Sequence, residues 1–260
     1  MKLKLALLQM DISFGNPAEN FTKAQQMIKN ASKQQPDVIV LPELWTTGYD
    51  LTRLDQIADH KGEKTKRVFS ELAKQYNVNI VAGSIANQTN EGTLNTTFAF
   101  NRKGEIIGEY SKVHLFRLMD EEKYLIAGDD KGSFTIEGIP AASVICYDIR
   151  FPEWIRRHVL DGAKLMFVTA EWPKARVDHW RTLLVSRAIE NQTYVIACNR
   201  VGSDPNNQFA GHSMIIDPWG EIISEGNENE MIVYGEISSD DVTSIRNRIP
   251  VFEDRRPQLY

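Results

Sequence analysis

Short apolar runs of strand length alternate along the chain with longer amphipathic stretches. Residues 3–9 read as a strand, and Asn16-Pro17 then opens a helix that runs to about Gln34, with Asn16 as cap and Pro17 in the first turn. The β-branched run at 37–41 ends at Pro42, which makes it a strand feeding a loop. A helix over 63–76 and a strand over 79–83 follow. Segments 93–101 and 105–109 flank Arg102-Lys103-Gly104, the signature of a hairpin with glycine in its turn. Further strands fall near 141–146, 165–169, 194–198, 212–216 and 231–237, with helices near 152–161 and 176–191 between them. Strand–helix alternation mixed with hairpins predicts an α/β (α+β) fold, mixed sheets covered by helices. No internal repeat, low-complexity tract or Pro/Gly/Ser linker interrupts the pattern, so a single domain is expected over residues 1–260.

Composition narrows the function classes. Hydrophobic residues make up 42% and charged residues 25%, an ordinary globular balance. The net charge is -5 with both signs interspersed, which argues against a nucleic-acid footprint or a polybasic membrane patch. No segment approaches the ~18 apolar residues that span a bilayer, and the start lacks the apolar run of a signal peptide. A soluble, cytoplasmic protein is expected. In that setting a disulfide between Cys146 and Cys198 is not. The five histidines, His60, His114, His158, His179 and His212, are scattered and give no metal-ligand spacing.

Three polar residues stand at or just beyond strand ends, where loops on a rigid scaffold present reactive groups. Glu43 follows the run Val38-Ile39-Val40-Leu41-Pro42, and desolvation makes a carboxylate a better base near neutral pH. The bland alternative is a solvated loop glutamate. Lys112 lies in Tyr110-Ser111-Lys112-Val113-His114-Leu115-Phe116, facing a pocket or snorkelling from a strand. Cys146 ends the strand Ala142-Ser143-Val144-Ile145, and a helix begins at Pro152. A strand-to-helix turn lifts a nucleophile toward a cleft and lets the next backbone N–H help an oxyanion hole; an inert buried thiol is the alternative. Each alone is weak.

Together, Leu41-Pro42-Glu43, Lys112-Val113-His114-Leu115-Phe116 and Cys146-Tyr147-Asp148-Ile149-Arg150-Phe151-Pro152-Glu153 resemble the three signature regions of the nitrilase (carbon–nitrogen hydrolase) superfamily, in the same order. Ser186–Gln192 and the Ala210–Ser213 and Asp217–Gly220 stretches are similar to further signatures of the family, read as structural. The resemblance implies an αββα sandwich and a thiol amidase with Cys146 as nucleophile, Glu43 as base and Lys112 as oxyanion stabiliser. It adds Glu121 as a second glutamate touching the lysine, with the neighbouring Glu122 one register away. This chemistry needs no metal and no organic cofactor. His114 is given a supporting rather than catalytic role, and Cys198 is read as core.

The stretches from Leu41 to Asp50, from Cys146 to Trp154, and Glu171-Trp172-Pro173 with Arg176, His179 and Trp180 resemble the omega-amidase branch. The resemblance implies a small-molecule substrate with an amide at one end and a carboxylate at the other, 2-oxoglutaramate first, and a place in methionine salvage. The implied binding residues are the Tyr147 N–H, Arg176 for the carboxylate, and Tyr49, Phe116 and Trp172 as walls, with Arg150 assigned to structure. An N-carbamoyl amidohydrolase, or a non-catalytic or ammonia-donating module of the same fold, stays open. A homodimer is implied, with the helices near 152–161 and 176–191 expected at its interface through Trp154, Ile155, Trp180 and Leu184, and with Phe252–Tyr260 as a loose tail or an arm crossing to the partner.

Overall fold

The computed structural model describes residues 1–259. In chain order the elements are β1 (Lys2–Gln9), α1 (Pro17–Ser32), β2 (Val38–Val40), α2 (Leu54–Ile57), β3 (Asp59–His60), α3 (Glu63–Tyr76), β4 (Asn79–Gln88), β5 (Thr93–Phe100), β6 (Ile106–Ser111) and α4 (Glu121–Tyr124). There follow β7 (Ser133–Ile136), β8 (Ile139–Ile145), α5 (Pro152–Leu160), β9 (Leu165–Ala170), α6 (Val177–Asn191), β10 (Tyr194–Asn199), β11 (Val201–Ser203), β12 (Gln208–Ala210), β13 (Met214–Ile216), β14 (Ile222–Glu225), β15 (Met231–Ser238) and α7 (Ser239–Arg248).

One sheet has the order β15-β1-β2-β4-β5-β6, with β3 paired to β4; the other runs β14-β13-β10-β9-β8-β7. Each is built on three parallel strands, β1-β2-β4 and β10-β9-β8, flanked by antiparallel neighbours. Successive side chains of a strand point to opposite faces, and here both faces are covered. In β1, Leu3, Leu5 and Leu7 pack between the sheets while Ala6 and Leu8 pack under helices α1 and α3. In β10, Tyr194, Ile196 and Cys198 face the inter-sheet core, and Val195 and Ala197 face α5 and α6. The result is the four-layer αββα sandwich. Double-sided burial is why these strands read as unbroken apolar runs.

Helix α1 begins as its sequence predicts: the Asn16 side chain accepts from the Glu19 N–H at 3.3 Å, and Pro17 occupies the first turn. Its buried stripe, Phe21, Ala24, Ile28 and Ala31, repeats at helical spacing. Phe21 and Phe69 enclose Trp45, at 4.8 and 5.3 Å between ring centroids, and the Trp45 indole donates to the Ala82 carbonyl at 2.7 Å. That cluster fastens the loop after β2 to the sheet beneath it.

Strand β4 extends past the expected Gly83 to Gln88. Its register shifts between Val81 and Ser84, where Gly83 takes a positive φ of 61°. A Cβ there would stand 2.1 Å from the Pro42 carbonyl oxygen, so the bulge admits the loop that carries Glu43. Edge strands β7 and β14, the β11–β12 hairpin and α7 were not anticipated.

Two expectations about surfaces are corrected. Ile155, Trp180 and Leu184 are fully buried against the second sheet, because the apolar stripes of α5 and α6 are used inside the chain. The segment after α7 is not loose throughout: Phe252 lies between the Arg156 and Arg246 guanidinium groups of its own chain, at 5.1 and 4.8 Å. Tyr260, the end of the expected arm, lies outside the described residues.

Candidate active site

Pro42 ends the extended run of β2, and the turn behind it is held by Ser84, whose N–H donates to the Pro42 carbonyl at 3.0 Å and whose hydroxyl accepts from the Leu44 N–H at 2.9 Å. Glu43 is thereby fixed in the interior with no exposed surface. Its two carboxylate oxygens have different surroundings. Oε1 accepts from Lys112 Nζ at 2.8 Å, Asn95 Nδ2 at 2.9 Å and the Tyr49 hydroxyl at 3.4 Å; Oε2 accepts from the Glu171 backbone N–H at 2.9 Å.

Lys112 lies one residue beyond β6 and is also fully buried. Its ammonium bridges Glu43 and Glu121, the latter at 2.6 Å. Burial alone would lower its pKa, but the Glu121 and Glu43 carboxylates outweigh it and hold the ammonium well above the usual lysine range. Glu121, at the start of α4, accepts through Oε1 from the Tyr49 hydroxyl at 2.6 Å and through Oε2 from the Phe116 N–H at 2.8 Å. Burial pushes the Glu121 carboxyl up, with Lys112 opposing. Glu122 is exposed. Tyr49 therefore stands with the carboxylates rather than as a plain apolar wall.

Cys146 opens a 3₁₀ turn directly after β8, with a positive φ of 44°. Asp148 secures that turn. Its Oδ2 accepts from the Ile145 N–H at 2.9 Å and the Tyr110 hydroxyl at 2.6 Å; its Oδ1 contacts both the backbone N–H of His114 at 3.1 Å and Nδ1 of that ring at 2.8 Å. One buried carboxylate thus ties the segment carrying Lys112 to the segment carrying Cys146. His114 is engaged there, its ring stacked on Phe151 at 3.7 Å. Burial and the Glu43 carboxylate push the Cys146 thiol well above the ordinary cysteine range, with Lys112 pulling the other way. Both upward effects favour the thiol over the thiolate.

Cys146 is 5% exposed and lines a cleft with Phe116, Met119, Tyr147, Arg150, Trp172, Pro173 and Arg176; Glu171 also borders it. Phe116 and Tyr147 pack at 4.8 Å between centroids. The Arg176 guanidinium lies 5.4 Å from the Phe116 ring and the Arg150 guanidinium 4.8 Å from the Trp172 ring. The Trp172 indole donates to the Arg176 carbonyl at 2.7 Å, which joins wall and cation. Arg150, assigned to structure from the sequence, borders this cleft.

Sequence reasoning missed Asn95, Asp148, Met119 and the Glu171 N–H. Asn95 has a signal in hindsight, a buried polar Asn-Thr-Thr run between Leu94 and Phe98 in one strand. A backbone donor such as the Glu171 N–H has none.

A family model described as carbon–nitrogen hydrolase matches residues 4–247. The chain is 52% identical over 260 residues to a 2-oxoglutaramate amidase of Bacillus subtilis (strain 168), covering 100% of both chains. It is 32% identical over 267 residues to Omega-amidase NIT2 of Homo sapiens, covering 99% of this chain and 96% of that one. Among solved structures it matches XC1258 from Xanthomonas campestris, a CN-hydrolase superfamily protein with an arsenic adduct in its active site. That match has a TM-score of 0.92 at 30% identity and covers 98% of each chain.

Proposed function

The chain belongs to the carbon–nitrogen hydrolase family, and from that premise we propose that it cleaves the amide of a short omega-amido 2-oxo acid, converting 2-oxoglutaramate and water to 2-oxoglutarate and ammonia. The observation that carries the mechanism is the buried Lys112 ammonium bridging Glu43 and Glu121 beside Cys146 at the cleft. The full-length likeness to 2-oxoglutaramate amidase supports the substrate.

Glu43 takes the proton of the Cys146 thiol, and the sulfur attacks the amide carbonyl. Negative charge gathers on the carbonyl oxygen, where Lys112 and the Tyr147 N–H stabilise it. Glu43 then delivers its proton to the nitrogen, the C–N bond breaks, and ammonia leaves a thioester on Cys146. Water, deprotonated by Glu43, attacks the thioester, and the proton returns to the sulfur as the acid departs. Glu121 holds Lys112 and Tyr49 in place throughout. Arg176 pairs with the distal carboxylate, since an unpaired charge leaving water is costly. We further propose a cytoplasmic homodimer that acts in methionine salvage.

The test is a kcat/KM series over 2-oxoglutaramate, succinamate, glutaramate, glutamine, propionamide and an N-carbamoyl amino acid, read as ammonia release. 2-Oxoglutaramate is expected to lead. Arg176→Ala is expected to raise KM roughly ten- to hundredfold for it, the value of a charge-assisted hydrogen bond, and to leave propionamide unchanged. A carbamoyl compound or a neutral amide at the head of the series would sink the substrate assignment.

A further inference from the structure

A second buried carboxylate stands beside Glu43. Glu171 follows β9 directly and has no exposed surface. Its Oε2 meets Arg200 Nη1 at 2.9 Å, while its Oε1 is buried with no hydrogen-bond partner. Arg200, also fully buried, donates to the carbonyls of Val201 and Ile12 at 3.0 and 2.8 Å. The backbone around Glu171 is what touches the site: its N–H holds Oε2 of Glu43, the Ala170 carbonyl accepts from the Glu43 and Arg200 N–H groups at 3.5 and 3.2 Å, and the next residue is the cleft wall Trp172.

We propose that Glu171 is a positioning residue: clamped by Arg200, it fixes the N–H that orients Glu43 and the wall formed by Trp172. The proposal rests on Glu43 being the base. The charged groups around Glu171 are Glu43 after β2, Arg200 after β10, Asp204 beyond β11, and Asp11 after β1, which reaches Arg200 at 3.5 Å. Burial pushes the Glu171 carboxyl up to about 8, against the opposing pull of Arg200. Below that pH the group is neutral. Above it, a new anion appears next to Glu43, where the reaction itself gathers negative charge, and both thiol deprotonation and the oxyanion are disfavoured.

The experiment compares the parent enzyme with Glu171→Gln and Glu171→Ala from pH 6 to about 9.5. Two readouts are taken: kcat for the best amide, and the rate at which iodoacetamide alkylates Cys146, followed by mass spectrometry. The parent is expected to lose kcat through a limb centred near 8, while Glu171→Gln matches it at pH 7 and keeps its rate above pH 8. Glu171→Gln is also expected to alkylate faster than the parent above pH 8 and equally below pH 7. Glu171→Ala should lose roughly tenfold or more in kcat at pH 7, since small misplacements of a base cost that much. Superimposable profiles for parent and Glu171→Gln, or a Glu171→Gln loss at pH 7 equal to that of Glu171→Ala, overturn the proposal. Should Glu171→Gln fail to fold, the parent decides: a flat kcat between pH 7 and 9 overturns it, and a decline near 8 supports it. If no amide is turned over, the substrate reading fails, while the alkylation profiles still report on Glu171.

Discussion

The two cysteines show how environment divides one residue type. Cys146 borders a cleft at the head of a turn, with the Glu43 carboxylate and the Lys112 ammonium beside it. Cys198 lies between the sheets, its thiol directed at the Leu8 and Val40 carbonyls at 3.4 and 3.5 Å, and burial alone raises it far beyond the range of a useful nucleophile. Cys146→Ala is therefore expected to fold and to release no ammonia above background. Cys198→Ala should keep the parent kcat and lose roughly 1 kcal/mol of stability from the small cavity it opens. Ammonia assays with urea unfolding of both variants check this; full activity in Cys146→Ala would end the thiol mechanism. Glu43, Lys112 and Cys146 stand at or just beyond strand ends, which is weak for each alone; they are legible because their flanking stretches together, in order, resemble the carbon–nitrogen hydrolase signatures. Asn95 and Asp148 do their work through hydrogen bonds across 52 and 38 positions, to Glu43 and Tyr110, and such partners leave no local mark.

At the scale of elements, the turn that opens with Cys146 depends on Asp148 more than on its own backbone preference. A non-glycine residue at φ 44° is strained, and the turn persists because the Ile145 N–H is held from within and Tyr110 and His114 from across the site. Asp148→Ala removes a buried acceptor from several donors at once, which is expected to cost about 3 kcal/mol or more. It should lower kcat far more than it changes KM, because Cys146 and Lys112 lose their common anchor while the cleft walls stay. Urea denaturation and steady-state kinetics on one preparation check this; unchanged kcat would show that the turn holds itself. The elements that sequence pattern missed share a physical reason. Strands β7 and β14 are only four residues long at sheet edges, so that even the buried Phe134 and Ile136 of β7 make too short an alternation to mark a strand, and α7 buries Val242 alone. Helix α7 is instead marked by charge, with Asp240 and Asp241 in its first turn and Arg246 and Arg248 in its last, the arrangement that complements a helix dipole.

For the whole molecule, the question is what covers the outer helical layer. The stripes of α5 and α6 are used against the second sheet, yet the outward side of this layer still exposes Leu160, Ile189, Trp219 and Ile249, each by 41% or more. Ile189, Trp219 and Ile249 border one shallow groove with Pro218, Ile245 and Val251, and a Cβ on Gly220 would touch the Ile189 side chain, so these residues form one patch rather than scattered positions. Contiguous apolar surface rimmed by charge marks an interaction site more often than isolated exposed residues do. A stable twofold contact needs about 800 Å² from each protomer, more than these side chains supply alone. The arginines around the neighbouring hollow, Arg156, Arg157 and Arg255, extend the face with long aliphatic stems. The expected outcome is a homodimer closed through this face, with twice the 29.6 kDa chain mass by light scattering at micromolar concentration. Ile189→Asp combined with Trp219→Ala should shift that mass toward one chain. Because both side chains are exposed, the variant should retain a folded far-ultraviolet spectrum. A single-chain mass for the parent would refute the dimer, and a dimeric variant would move the contact to another face.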